Sequence, residues 1–122
     1  MTPAAYILGI LTDHIDEIPG LKANNIFTFY VDETVEDVFL LITETVSLMD
    51  TYGNNKVIHS TKRIQIDLYY PKDYQEDMSV LEQGLKRVLR DNGVYCYSDA
   101  GHILTLDNQN ITNTLKFNYM EE

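Results

Sequence analysis

The 122-residue sequence predicts an α+β fold: a mostly antiparallel sheet of four to six strands with two helices packed on one face. Three observations carry this. Residues 63–70 alternate, with Ile64, Ile66, Leu68 and Tyr70 on one side and Arg63, Gln65, Asp67 and Tyr69 on the other, the period-2 signature of a strand buried on one face. Two segments, residues 4–15 and 78–89, instead carry apolar residues at helical spacing. Most of the remaining strand-like runs are joined by tight turns, which suit antiparallel neighbours. Length argues for a single domain, residues 1–122, large enough to bury a core without staples.

In chain order, Thr2-Pro3 opens the first helix: Thr can cap, and Pro at the first helical position gives up only an N–H that would be unpaired anyway. Ala4, Ile7, Leu8, Leu11 and Ile15 form its stripe, and Pro19-Gly20 ends it. Residues 26–31 are β-branched and aromatic and read as a strand. Residues 32–37 form an acidic loop, and its carboxylates lack the spaced oxygens and bend glycine of a calcium loop. Residues 38–44, apolar on both parities, read as a strand buried on both faces. Residues 45–55 read as a loop ending in Gly53-Asn54-Asn55, residues that tolerate the positive φ of sharp turns. At about eleven residues it is long for a connection. It carries apolar Val46, Leu48 and Met49, which mark it as a docking surface unless they fold back on the core.

Residues 56–70 are the central strand, long against a usual ~5–6 residues, and form an extended antiparallel hairpin with residues 38–44. Pro71 stops the strand. Residues 77–91 form the second helix, with Met78, Leu81, Leu85, Val88 and Leu89 as its stripe. Glu82 and Lys86 stand at i, i+4 in the favourable order, and Gly84 marks a close approach to the sheet. Asn92-Gly93 stops the helix. Residues 94–98, a local pair at 103–106 and the alternating residues 111–119 complete the sheet, with Asn113 on the apolar face of the last strand.

Composition narrows the function. Nineteen acidic against nine basic residues leave a net charge of −10, which argues against tight DNA or RNA binding, because phosphate recognition needs a basic patch. Acidity is first a source of solubility, and it also keeps passing DNA from sticking. One cysteine, Cys96, cannot form an internal disulfide and reads as core packing. No apolar run approaches the ~18 residues of a membrane span, and the acidic N-terminal region is unlike a signal peptide. The expected location is the cytoplasm or a particle assembled there.

No catalytic motif stands out. His14, His59 and His102 lie at no metal-ligand spacing from one another. Asp13 and Asp16 share a helix face but read as solvated. An enzyme would require His59 or His102 to meet carboxylates in a pocket. The expectation is a non-enzyme without cofactor or metal. A DNA mimic acting on a basic host protein would need an ordered carboxylate array, whereas these carboxylates are scattered.

The TYGNN turn at 51–55, followed by RIQIDLYY at 63–70, resembles a family of small tail terminator, or tail completion, proteins of phages with long non-contractile tails. The flanks agree in order: a Pro-started helix, VFLLITE at 38–44, an amphipathic helix after YYPKD at 69–73, and the Gly101-His102 turn before a last strand. The likeness covers most of the chain. It implies a structural protein of the virion, at the head-proximal end of the tail, whose copies form a ring, expected to be hexameric. The ring caps the tail tube, stops its polymerisation and joins the head. The implied partners are other copies, the tail-tube protein and a head connector or stopper, with DNA only passing through the channel. The alternative is another connector or head-closure subunit. The implied interface is Thr51, Tyr52, Gly53, Asn54, Asn55 and Lys56, preceded by Val46, Leu48 and Met49.

Overall fold

A computed structural model describes residues 2–29, 37–45, 48–53, 56–105 and 110–121. Helices α1 (Pro3–Asp13) and α2 (Met78–Asp91) lie with strands β1 (Ile26–Thr28), β2 (Phe39–Glu44), β3 (Leu48–Gly53), β4 (Lys56–Tyr70), β5 (Tyr95–Asp99), β6 (Ile103–Leu104) and β7 (Ile111–Glu121). The fold is α+β, as expected. Five strands run in the order β1-β2-β4-β7-β5, with β3 paired onto β4 and β6 onto β7. Every pairing is antiparallel except β1 with β2.

One cluster forms the core. Ile64, Ile66, Leu68 and Tyr70 of β4 meet Leu40 and Ile42 of β2, Leu115 and Phe117 of β7, and the apolar faces of both helices. The alternation at 63–70 therefore faces as predicted. In α1, Thr2 Oγ1 accepts from the Ala5 N–H, and the buried residues are Ala4, Ile7, Ile10 and Leu11. Leu8 and Ile15 are only half-buried; Ile15 lies outside the helix, because α1 stops at Asp13 and a 3₁₀ turn over Ile15–Glu17 carries the chain to Pro19. In α2, Asp77 Oδ1 accepts from the Ser79 N–H. The helix closes as a Schellman motif: Gly93 N–H donates to the Arg90 carbonyl and Val94 N–H to Leu89, with Gly93 at φ +83°.

Besides the early end of α1, the strand expected over 26–31 ends at Thr28, before Phe29 at φ +62°, and the structure departs from expectation elsewhere too. Residues 48–53 form a strand, not part of a loop. Leu48 pairs with Thr61 and Gly53 with Lys56, so β3 and β2 lie end to end along the same side of β4. Irregular register between Met49 and Tyr52 breaks the period-2 pattern that would have revealed the strand. Gly84 approaches the chain after α1 rather than the sheet: a Cβ there would lie 3.0 Å from the Glu17 carbonyl oxygen and 3.2 Å from Pro19 Cδ. Glu82 does not pair with Lys86. It is buried, and Lys86 Nζ reaches Asp99 Oδ2 at 2.7 Å instead.

Candidate functional site

The β3–β4 ribbon follows from the unequal lengths of the strands. β2 covers β4 only from Ile64 to Tyr69, and β7 covers it from Ser60 to Tyr70. Residues 56–59 therefore pair with β3 alone among the described strands. The expected interface maps here: Leu48, Met49, Thr51, Tyr52 and Gly53 on β3, and Lys56 at the start of β4. Val46, Asn54 and Asn55 lie outside the described residues. What was expected as a loop is thus a two-stranded arm running on from the central strand.

At the foot of this arm the sheet face turned away from the helices is uncovered by them. Tyr95 is 56% exposed, Tyr97 47% and Met120 60%. Tyr95 stands opposite Asn118 and Cys96 opposite Phe117, after which a bulge shifts the register so that Ser98 meets Lys116. The bulge also turns Asp99 toward the helix layer, where Lys86 binds it. Arg63 places its guanidinium carbon 5.6 Å from the Tyr97 ring centroid, a cation–π contact. Its Nε is buried without a partner. Lys116, on the same face, makes no ion pair among the described residues. Asp67 on this face has its carboxylate occupied by Thr114 Oγ1 at 2.7 Å and Gln65 Nε2 at 3.1 Å. A cleft of about 450 Å³ beside the patch is lined by Thr61, Gly93, Tyr95, Asn118, Tyr119 and Met120. Two exposed tyrosines, an arginine and a methionine on one sheet face, with Tyr95 and Met120 lining the cleft, have the composition of a protein interface.

A second cluster holds the only fully buried carboxylate among the described residues. Glu82, 5% exposed, accepts three hydrogen bonds: from Tyr70 Oη at 2.6 Å, His102 Nε2 at 2.7 Å and Asn113 Nδ2 at 3.0 Å. The carboxylate can only accept, so His102 carries its proton on Nε2. Burial, then the Glu82 hydrogen bond, pushes the Tyr70 phenol far above its ordinary range and keeps it a donor. Asn113 Oδ1 accepts from the Gly101 N–H at 3.1 Å, so the network fixes the 99–102 turn to α2 and β7. His102 thus does meet a carboxylate, but it lines neither this cleft nor the one described next. His59 lies on the arm, as part of β4. Asp13 and Asp16 are both exposed.

At the other end of β4, a cleft of about 400 Å³ is lined by Gly20, Lys22, Asp37, Pro71, Asp73, Tyr74, Gln75 and Glu76. Lys22 Nζ binds Asp37 Oδ2 at 2.9 Å, and this bond, with the Val38 N–H, holds the Asp37 carboxyl below the usual carboxylate range. Asp73 and Glu76 are exposed and form no ion pair among the described residues. No group of three or more His, Cys, Asp or Glu side chains suited to a metal ion occurs among the described residues. No helix among them is long and apolar enough to cross a membrane.

Sequence reasoning missed both the patch and the Glu82 network. The patch joins strands far apart in sequence, and only the alternation at 63–70 hinted at its Arg63 side. The network had one legible signal, Asn113 on an apolar strand face. A family model described as "Protein of unknown function (DUF806)" matches residues 4–120. No curated protein matches the chain.

Proposed function

For this chain, which belongs to the family described as protein of unknown function DUF806, we propose a structural role in phage tail assembly: a tail terminator that caps the tail tube, stops its growth and presents the surface the head joins. The observation that carries the reading is the resemblance at TYGNN and RIQIDLYY, whose described residues lie on the arm and the central strand from which it extends. A strand of fifteen residues, less than half of it covered by β2, is more than a core needs. Unpaired ribbon ends are a ready means of docking to another subunit.

In this reading copies of the chain form a ring, with a hexamer the expected count. The arm and residues 46–56 contact the tube protein or the next copy, and DNA passes through a channel whose acidic walls do not hold it. The test is electron microscopy of particles made without this protein. Overlong tail tubes are expected. Tails of normal length detached from leaking heads would instead assign it to head closure, and normal particles would remove it from morphogenesis.

A further inference from the structure

The chain carries nineteen acidic and nine basic residues, yet Arg63 and Lys116 share one sheet face on which the single β4 carboxylate, Asp67, is already bound. Around them Tyr95, Tyr97 and Met120 expose large apolar area. The opposite pole of the molecule has the reverse character. There Asp37, Asp73 and Glu76 border a cleft with Lys22 as its one cation. The two surfaces are well separated. The first lies at the β5 edge by residues 61–65 of β4, and the second lies beyond Tyr70, where β4 ends and β2 begins.

We infer that these two surfaces are the two halves of one contact between copies: the Arg63–Tyr97–Lys116 patch of one copy seats the carboxylates of Asp73 and Glu76 on the next, Asp37 being already paired with Lys22. That copies meet at all rests on the terminator reading. Which surfaces meet rests on the charges. A two-fold contact of patch on patch would bring four cations together against only the two Asp67 carboxylates, and acidic cleft on acidic cleft is likewise unfavourable. Only the head-to-tail arrangement matches opposite signs, and a heterologous contact of this kind closes into a ring when its rotation divides a full turn. The exposed tyrosines and Met120 supply the apolar area, while the charges set register and partner choice. Arg63 suits this position because Tyr97 already holds its guanidinium plane, so little freedom remains to be lost on binding.

The experiment measures mass by light scattering on the full chain at high concentration. The wild type is expected to exceed monomer mass at low salt and to fall toward monomer in 1 M salt, where screening reaches about 3 Å. Arg63→Glu/Lys116→Glu and, separately, Asp73→Lys/Glu76→Lys are each expected to be monomeric. Mixed together, the two variants are expected to recover a larger species, because each retains one surface that fits the other. Recovery also shows that both variants fold. Three results overturn the contact: a monomeric wild type at low salt, variants that assemble as the wild type does, or a mixture that stays monomeric. Loss of tail-tube protein binding by the Arg63/Lys116 variant, with self-association intact, would give the patch to the tube and also overturn it. Tail length in particles lacking the protein judges the terminator reading separately. Normal tails beside charge-dependent oligomers sink that reading alone, and overlong tails beside charge-insensitive oligomers sink the contact alone.

Discussion

At the scale of single residues, Glu82 shows how one side chain can join distant parts of the chain. It sits on α2, yet its three donors come from β4, β7 and the turn before β6. Burying a carboxylate is tolerable only when its lone pairs are occupied, and here both oxygens are. Glu82→Ala would leave the Asn113 amide without its acceptor in the core and the Tyr70 hydroxyl with only the Met78 carbonyl, at 3.5 Å. An unmade buried hydrogen bond costs about 1–3 kcal/mol, so the loss is expected at roughly 3–4 kcal/mol, read as a lower urea midpoint at unchanged slope. Tyr70→Phe, which leaves Glu82 two of its three donors, is expected to cost about 1–2 kcal/mol. Equal losses for the two variants would mean that the network acts only through Tyr70. The sequence could not reveal this arrangement. Glu82 has the i, i+4 relation to Lys86 of an ordinary surface pair, and nothing local shows that its helix face is turned toward β7.

At the scale of elements, regular patterns were legible and irregular ones were not. The apolar stripe of the second helix, the cap at Thr2, the stop at Gly93 and the alternation along β4 and β7 follow from local chemistry, and the structure has them; Asp77, expected as the first residue of α2, is instead its N-cap. β3 was hidden because its register is irregular. The role of Gly84 was half legible: the close approach was expected, but its partner is the segment after α1, about 65 residues earlier in the chain. Gly84→Ala therefore sets a helix-propensity gain of ~1 kcal/mol against a Cβ 3.0 Å from backbone that cannot swing aside. Strain is expected to win, with a net loss of about 1–2 kcal/mol by thermal unfolding. A gain in stability would show that the Ile15–Glu17 turn yields. The bulge in β5 has a consequence in pH. The Lys86 hydrogen bond, foremost, holds the Asp99 carboxyl below its usual range. A depressed carboxyl contributes stability that is complete above the ordinary value near 4 and is lost as pH falls through the lower folded-state value. Asp99→Asn is thus expected to lower stability modestly at pH 7 and to flatten its fall between about pH 5 and 2. A variant with the wild-type acid profile would show that the pair is screened by solvent.

For the whole molecule, the plan separates a part that folds from a part that projects. All described core residues of β4 lie from Ile64 onward, and β7 pairs with β4 only from Ser60. Of the described residues, Thr51, Tyr52 and Gly53 pair with His59, Val57 and Lys56, all within the arm. If the arm serves assembly and not the core, removing it should dissociate two properties that most substitutions change together. Replacing residues 50–59 with Asn-Gly would rejoin Met49 to its partner Ser60 through a two-residue turn of the type that twisted hairpins favour. The shortened chain is expected to keep its melting temperature within roughly 3–6 °C, equivalent to about 1 kcal/mol for a chain of this size. Incorporation into tails is expected to be lost. The milder triple variant Val46→Ser, Leu48→Ser, Met49→Ser tests the apolar side chains without shortening the backbone, with the same expected outcome. A large drop in melting temperature would show that the arm folds back on the core and would withdraw it as a contact surface. Normal incorporation with normal stability would leave the arm without a role in assembly, and the charged surfaces at the two ends of β4 would then have to hold the particle together without it.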